Sequence, residues 1–222
     1  MADAPPLTAA KPTLAQVVRA RPWLLAPWIA LALAAPVVVA LRLRPAPVPV
    51  YRALPAWRLT DQRAQPYGSA ELRGHPFVAN FIFTSCPFSC PRLTRHMRRV
   101  QDALAREGAD VASVRMVSFT VDPTIDTPER LASYAREYGA DIARWRFLTG
   151  PTPDVQRLSV EGFQLAMGAP PEGRPQGYNI LHGEHIMLVD GSGRIRGYYR
   201  SDDDGLRKIV RDAETVAHER AP

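Results

Sequence analysis

The stretch HPFVANFIFTSCPFSCPRLTRHMRRVQDALAREG, residues 75–108, decides the fold of this 222-residue chain. Its first ten residues are mostly apolar and predict a buried β-strand. From Pro91 onward, apolar residues recur every three or four positions, which predicts an amphipathic helix that ends at Gly108. Both cysteines of the chain, Cys86 and Cys90, lie where the strand passes into the helix. We therefore expect a functional site at this junction.

The remainder of the chain alternates short apolar runs with amphipathic stretches, a pattern typical of an α/β domain with a mainly parallel sheet. Strands are predicted over residues 114–122 and 145–150, and a β-hairpin is predicted around the DGSG turn at 185–199. Helices are predicted over residues 126–140, 152–165 and 202–219. The order β-α-β-α-β-α-β-β-α predicts a thioredoxin-like fold with an added β-hairpin.

An uncharged apolar segment, residues 22–41, lies between Arg21 and Arg42. Twenty helical residues rise about 30 Å, enough to cross the core of a bilayer. The segment therefore predicts a transmembrane anchor that follows a short tail, residues 1–21. A cleaved signal peptide is the alternative, because ALAA supplies small residues for a peptidase, although the apolar run continues beyond it.

The net charge of +6 is distributed unevenly, with +4 in residues 1–50 and +2 in the rest of the chain. Because the excess positive charge flanks the apolar segment, we interpret it as a signal for orientation in a membrane. We therefore expect no nucleic acid as a partner. Residues 42–56 are rich in proline and predict an extended spacer before a domain over residues 57–222. A domain of that size needs no disulfide for its stability.

The two cysteines fit three kinds of site: a disulfide, a redox pair or part of a metal site. Side chains four positions apart on a helix have β-carbons about 5–6 Å apart, which suits two ligands on one ion. The amino end of a helix also favours the thiolate, the form that binds metals and attacks disulfides. Two thiolates favour Cu(I), with zinc next.

A copper site with two thiolates has room for a third ligand, and histidine is the obvious candidate. Three of the five histidines are poorly placed, because His75 begins the first buried strand, His96 is on the wrong face of the cysteine helix, and His218 is in the last turn of the final helix. His182 and His185 lie in a glycine-bearing loop that enters the hairpin. Spacing alone does not choose between them.

Three blocks of sequence resemble the Sco/SenC family of membrane-anchored, thioredoxin-like copper proteins. They are FIFTSCPFSCP, VSFTVDPTIDTPERLASYA and HGEHIMLVDGSGRIRGYY, which occur in the family's order within roughly residues 55–215. The resemblance implies that copper is bound by Cys86, Cys90 and a histidine eight residues before Asp190. That histidine is His182, which leaves His185 as a substitute or transient fourth donor.

The family's DPxxDTP block contains two aspartates of this chain. The resemblance implies that Asp122 lies near the metal or its docking surface. Asp126, three residues before Glu129, predicts the cap of the following helix. One position departs from the family pattern: many copper-delivering members have aspartate where this chain has Phe88. The change keeps the ligands but leaves the partner and the redox behaviour open, and it places an apolar contact beside the site.

The resemblance implies a metallochaperone that delivers copper, as Cu(I) in preference to Cu(II), to the binuclear copper site of a cytochrome c oxidase subunit. The alternative is an enzyme, a thiol–disulfide reductase that keeps the cysteines of that subunit reduced. A membrane sensor of redox state or copper is a third hypothesis. Delivery requires His182, whereas disulfide exchange requires only Cys86 and Cys90.

The resemblance also implies a location. Because only 21 residues precede the predicted anchor, too few for a mitochondrial transit peptide and a sorting signal, we expect a bacterial inner-membrane protein. Its tail would be cytoplasmic and its carboxyl-terminal domain periplasmic, attached by a single membrane pass.

Overall fold

The computed structural model describes residues 30–36, 47–106, 111–165 and 185–219. The chain divides into two compact units, residues 1–46 and 47–222. In the first unit, residues 30–36 are helical. Among the described residues, no helix combines the length and the apolar character needed to cross a membrane. Most of the anchor predicted at residues 22–41 lies outside those residues, so the anchor stays a prediction.

The second unit is built on an eight-stranded sheet. Its strands are β1 Arg52–Ala53, β2 Arg58–Asp61, β3 Pro66–Gly68, β4 Phe77–Ile82, β5 Arg115–Thr120, β6 Trp145–Thr149, β7 His185–Val189 and β8 Arg194–Arg200. Their order across the sheet is β1-β8-β7-β4-β5-β6-β2-β3. The central strands β4, β5 and β6 are parallel, and β7 and β8 form an antiparallel hairpin that joins the sheet beside β4. The mixed α/β sheet with its hairpin confirms the predicted fold class.

Four α-helices pack around this sheet in the part of the chain that is described. They are α1 Ser89–Arg106, α2 Pro128–Glu137, α3 Thr152–Arg157, which continues as a π-helical turn over Leu158–Gly162, and α4 Asp203–His218. Their apolar faces form one core on each side of the sheet. Every residue of β4 is buried because helices and loops cover both faces of the sheet there.

The carboxyl ends of β4 and β5 position the functional residues. These two strands are parallel neighbours, so they end at the same edge of the sheet. The loop after β4 carries Cys86, and the loop after β5 carries Asp122 and Asp126. The predicted junction of strand and helix thus lies beside the family's DPxxDTP block.

The predicted cap of α2 is wrong. The N-cap is Thr127, whose hydroxyl accepts a hydrogen bond from the Arg130 backbone N–H at 3.3 Å. Asp126 is fully buried instead and accepts hydrogen bonds from the loop after β4. In the interior, the Asp126 carboxylate accepts several hydrogen bonds at once, whereas an N-cap side chain accepts from only one or two backbone N–H groups of the first helical turn.

The described part of the predicted spacer packs against the domain. Strand β1 pairs with β8, and Val48 is buried. Arg196, which is only 3% exposed, donates hydrogen bonds to the backbone carbonyls of Val48 and Pro49 at 2.6 and 3.1 Å. The same guanidinium binds the carboxylates of Asp190 and Glu219. One buried arginine thus joins the chain entering the domain to the hairpin and to the end of α4.

We expect Arg196→Ala to lower the free energy of unfolding by about 3 kcal/mol, because Glu219 loses its buried partner and two carbonyls lose their donor. Residues 47–53 should then exchange their amide hydrogens faster, which hydrogen exchange with mass spectrometry measures. Arg194→Ala is the matched control, since Arg194 also binds Asp190 but is more exposed. Equal losses in the two variants would contradict the role of Arg196.

Candidate metal centre

The two cysteines lie within one turn of chain at the start of α1. Cys86 precedes the helix and Cys90 is its second residue. The backbone N–H of Cys90 points at the Cys86 sulfur, with nitrogen and sulfur 3.5 Å apart. The hydroxyl of Ser89 lies 3.6 Å from the same sulfur. Both cysteines are free in this structure, an arrangement that suits a thiol pair or two ligands of one ion.

The environments of the two thiols differ although the residues are four positions apart. For Cys86, burial raises the pKa, but the backbone N–H groups of Cys90 and Phe88 and the Ser89 hydroxyl outweigh it, so the pKa is lowered. For Cys90, burial raises the pKa to about 12, and only the Phe83 backbone and the Ser89 hydroxyl oppose it. Cys86 therefore forms a thiolate, the nucleophilic and metal-binding form, more readily than Cys90 does.

A buried carboxylate lies next to the cysteine loop. Asp126 accepts the backbone N–H of Thr84 at 3.1 Å and also the hydroxyl hydrogens of Thr84 and Thr120. The Thr84 hydroxyl accepts in turn from Nε of Arg130 at 2.7 Å, and that nitrogen lies 4.0 Å from the Asp126 carboxylate. Because Thr84 is two residues before Cys86, this carboxylate ties the cysteine loop to the loop after β5.

The sequence did not identify this network as functional, although Asp126 belongs to a recognised block. Thr84 and Thr120 are separated from Asp126 by 42 and 6 positions, so no local spacing reveals them. A usable signal was a threonine at the end of one buried strand, Thr120, and another just beyond the end of its neighbour, Thr84. Paired with a nearby acid, such residues indicate a hydrogen-bonded link between the two loops.

Asp122 is nearly buried and stabilises its own loop. Its carboxylate accepts the Thr124 hydroxyl at 2.7 Å, and its carbonyl accepts the N–H groups of Ile125 and Asp126. Its backbone N–H donates to the Thr120 hydroxyl at 3.0 Å. The structure shows that Asp122 stabilises the turn after β5. A role beside a metal stays a prediction.

The third predicted ligand, His182, lies outside the described residues. His185 is the first residue of β7, which is antiparallel to β4, so it lies at the edge where β4 ends. His75 precedes β4 at the opposite edge. Across the ranges that the structure describes, no three His, Cys, Asp or Glu side chains converge on a metal position. The structure brings Cys86 and Cys90 together, and His182 stays a prediction.

A family model described as SCO1/SenC matches residues 49–218 of the chain. The chain belongs to the SCO1/SenC family. The matched residues include the cysteine loop, both aspartates of the DPxxDTP block and the hairpin. This result confirms the resemblance that the three sequence blocks indicated.

Relatives of this SCO1/SenC chain are similar to it in sequence or structure over most of their own length. The SCO1 protein homolog of Bacillus subtilis is 33% identical over 150 residues, which cover 65% of this chain and 74% of that protein. A crystal structure of a SCO1/SenC family lipoprotein from Bacillus anthracis has a TM-score of 0.67 and 31% identity, covering 75% of this chain and 96% of that one. A structure of BsSco has a TM-score of 0.67 and 27% identity, covering 78% of this chain and 97% of that one. BsSco is described as a member of the Sco family of cytochrome c oxidase assembly proteins with a disulfide switch.

A more distant structure shares the fold. ScoI of Bradyrhizobium japonicum, solved with copper bound, has a TM-score of 0.61 and 22% identity to this SCO1/SenC chain, covering 74% of it and 99% of that chain. At this identity the likeness shows the fold alone.

Proposed function

We propose that this chain is a copper metallochaperone of cytochrome c oxidase assembly, which holds one copper ion with Cys86, Cys90 and His182. It passes the ion to the binuclear copper site of an oxidase subunit. The observation that carries the proposal is the pair of free cysteines at the start of α1, within a match to the SCO1/SenC model over residues 49–218. The description of BsSco as an oxidase assembly protein supports the choice of acceptor.

The donor set suits copper as cargo. Two thiolates favour Cu(I), and Cu(II) is the second choice. The lowered pKa of Cys86 supplies one thiolate readily. Cys90, whose pKa is about 12, must lose a proton on binding, so loading copper releases a proton and strengthens as pH rises. Three ligands leave a position through which a thiolate of the acceptor can begin the exchange.

A second candidate function, a thiol–disulfide reductase, is favoured by the difference between the two thiols. The Cys86 thiolate would attack a disulfide of the acceptor and form a mixed disulfide, releasing one acceptor thiolate. Cys90 would then lose its proton and attack the Cys86 sulfur, which releases the second acceptor thiolate. The pair gives up two electrons and becomes the Cys86–Cys90 disulfide, and the acceptor is reduced.

The proposal includes a bacterial inner-membrane location. Residues 22–41 would form the single membrane anchor, residues 1–21 the cytoplasmic tail, and the carboxyl-terminal domain would face the periplasm. Support comes from the apolar segment with its flanking arginines and from the lipoprotein described for the relative in Bacillus anthracis.

Copper affinity of the reduced full chain in detergent tests the proposed function, measured against a competing Cu(I) chelator. We expect one copper per chain, and we expect His182→Ala to weaken binding at least about tenfold, which corresponds to about 1.4 kcal/mol. His185→Ala is the matched control, because this histidine is three residues away, and its binding should stay near that of the native chain.

The outcomes separate the candidates. If both histidine variants bind copper as the native chain does, the three-ligand site is wrong and the reductase becomes the better explanation. If only His185→Ala weakens binding, then His185 is the third ligand. Reduction of a model disulfide should be equal in the native chain and His182→Ala, because exchange uses only the cysteines.

A further inference from the structure

A cleft of about 350 Å³ lies at the edge of the sheet opposite the two cysteines. It is beside Phe77, where β4 begins, whereas the cysteine loop follows the end of the same strand. The six residues of β4 rise about 20 Å, so a small molecule in the cleft does not touch the thiols. The volume is at the lower end of the roughly 300–1,000 Å³ that is typical of small-molecule sites. The cleft is therefore separate from the proposed copper site and large enough for a small ligand.

The segments that form the walls of the cleft are hydrogen-bonded to the turn between β7 and β8. Leu54, which follows β1, donates its backbone N–H to the carbonyl of Gly193 at 2.8 Å. Gly74, which precedes β4, donates to the carbonyl of Gly191 at 2.9 Å. A Cβ atom at Gly191 would lie only 2.8 Å from the carbonyl carbon of Gly74, so the turn and the loop pack too closely for a side chain. The cleft is thus formed before a ligand binds, and binding orders little of the chain.

Most of the cleft lining is apolar. Leu72 and Phe77 are almost fully buried, whereas Pro55 and Ala56 are exposed to solvent. The half-buried ring of Trp57 also contributes to the lining. A ligand with an apolar body gains free energy here because its surface leaves water.

The charge at the cleft is positive. Among the described residues that line it, Arg73 is the one with a charged side chain, and Arg73 is exposed. The carboxylates nearest along the chain bind other arginines: Glu71 lies 3.7 Å from Arg58, and Asp190, just before the hairpin turn, lies 2.9 Å from Arg194. Within the described part of the chain, no carboxylate forms an ion pair with Arg73. The cleft therefore combines an apolar lining with one uncompensated cation.

We infer that this cleft binds a small carboxylic acid with an apolar body, whose carboxylate pairs with Arg73. A guanidinium binds a carboxylate through two parallel hydrogen bonds. Ser192, which also lines the cleft and is exposed, has a hydroxyl that can donate another. The apolar body lies against Leu72 and Phe77. The inference goes beyond the proposed function, because copper binding and disulfide exchange take place at the other edge of the sheet.

Other ligands fit the cleft less well. A neutral apolar molecule would remove water from Arg73 without replacing its hydrogen bonds, and a cation would be repelled. An inorganic anion has no apolar body for the lining. An extended peptide that adds a strand needs free backbone donors, but the N–H groups of Leu54 and Gly74 already bind the hairpin turn.

The test is binding of 3-phenylpropionate to the full chain in a neutral detergent, measured by saturation-transfer NMR. The matched probe is 3-phenylpropanamide, which has the same apolar body and no charge. We expect saturable binding of the acid and at least about tenfold weaker binding of the amide. Arg73→Gln should weaken binding of the acid about tenfold and leave binding of the amide unchanged. Arg207→Gln is the matched control, with the same charge loss at an exposed arginine of α4 outside the cleft.

A second variant tests the location of the binding. Ala56 is exposed, so Ala56→Phe should fold, and its ring should fill the cleft and weaken binding of both probes about tenfold. Four results would overturn the inference: no saturable binding of the acid, equal binding of acid and amide, native binding in Arg73→Gln, or native binding in Ala56→Phe.

Copper affinity separates this inference from the proposed function. Both cleft variants should bind copper as the native chain does, because neither substitution is near the cysteines. A native chain that binds copper but not the acid would overturn this inference alone. A native chain that binds the acid but not copper would support this inference while the proposed function fails.

Discussion

Replacing Asp126 with alanine is expected to lower the free energy of unfolding by about 3 kcal/mol. The side chain is fully buried, and its carboxylate accepts the backbone N–H of Thr84 and the hydroxyl hydrogens of Thr84 and Thr120. Removing it leaves buried donors without an acceptor, and each such donor costs about 1–3 kcal/mol. Because these donors come from two loops, the loss should also loosen the cysteine loop.

Urea unfolding followed by tryptophan fluorescence measures the change in stability. Asp154→Ala is the control, because Asp154 is half-exposed and its carboxylate, among the described residues, binds only Arg157 in the adjoining helical turn. Its effect should stay below about 1 kcal/mol, as for most exposed ion pairs. A similar small loss for Asp126→Ala would show that the buried network contributes little and that Thr84 is positioned by other contacts.

Asp126→Asn refines this prediction, since asparagine keeps the shape of the side chain. One of its two terminal groups donates hydrogen bonds, so it cannot accept from every donor that the carboxylate serves. We expect an intermediate loss of stability. If the cysteine loop depends on this link, the pKa of Cys86 should shift in both variants, which a purely local loss of stability would not cause.

The second large effect concerns the reactivity of the two thiols. With a neutral aromatic disulfide at pH 7, the variant that keeps only Cys86 is expected to react at least about 30-fold faster than the variant that keeps only Cys90. The pKa of Cys90, about 12, leaves a thiolate fraction near 10⁻⁵ at pH 7. A thiol with the usual pKa has a thiolate fraction on the order of 10⁻² at pH 7, and the lowered pKa of Cys86 makes its fraction larger than that. The thiolate of Cys90 is more basic and therefore more nucleophilic than that of Cys86, but only by about 30-fold, which is less than the difference in thiolate fraction.

The variants are Cys90→Ser and Cys86→Ser, and stopped-flow absorbance gives both rates. Burial is the main cause of the high pKa of Cys90, so loss of Cys86 should not make it reactive. Both reaction rates should rise with pH, because the thiolate is the form that reacts. The rate of the Cys86 thiol should rise with pH and reach its plateau at a lower pH than the rate of an ordinary thiol does. The rate of the Cys90 thiol should still be rising at a pH where an ordinary thiol has reached its plateau. Equal rates at pH 7 would contradict the assignment of Cys86 as the nucleophile.

Local patterns in the sequence predicted the parts of the fold that depend on neighbouring residues. The apolar run before Cys86 and the helical spacing after Cys90 correspond to β4 and α1, and the DGSG turn corresponds to the β7–β8 hairpin. Helix α1 begins at Ser89, two residues before Pro91, where the amphipathic pattern in the sequence begins. The short strands β1 to β3 were not predicted, since two to four residues contain too little periodicity to be recognised.

The sequence by itself determined that two thiols share one turn at the end of a buried strand, because strand, turn and helix are set by residues close together in the chain. The tertiary structure alone decided how the two thiols differ, since the depth of Cys90 and the donors around Cys86 depend on packing. It also decided that Asp126 binds the cysteine loop and that Arg196 holds residues 48 and 49 against the domain. Those contacts join residues 42 to 148 positions apart, and such distances leave no pattern in one sequence.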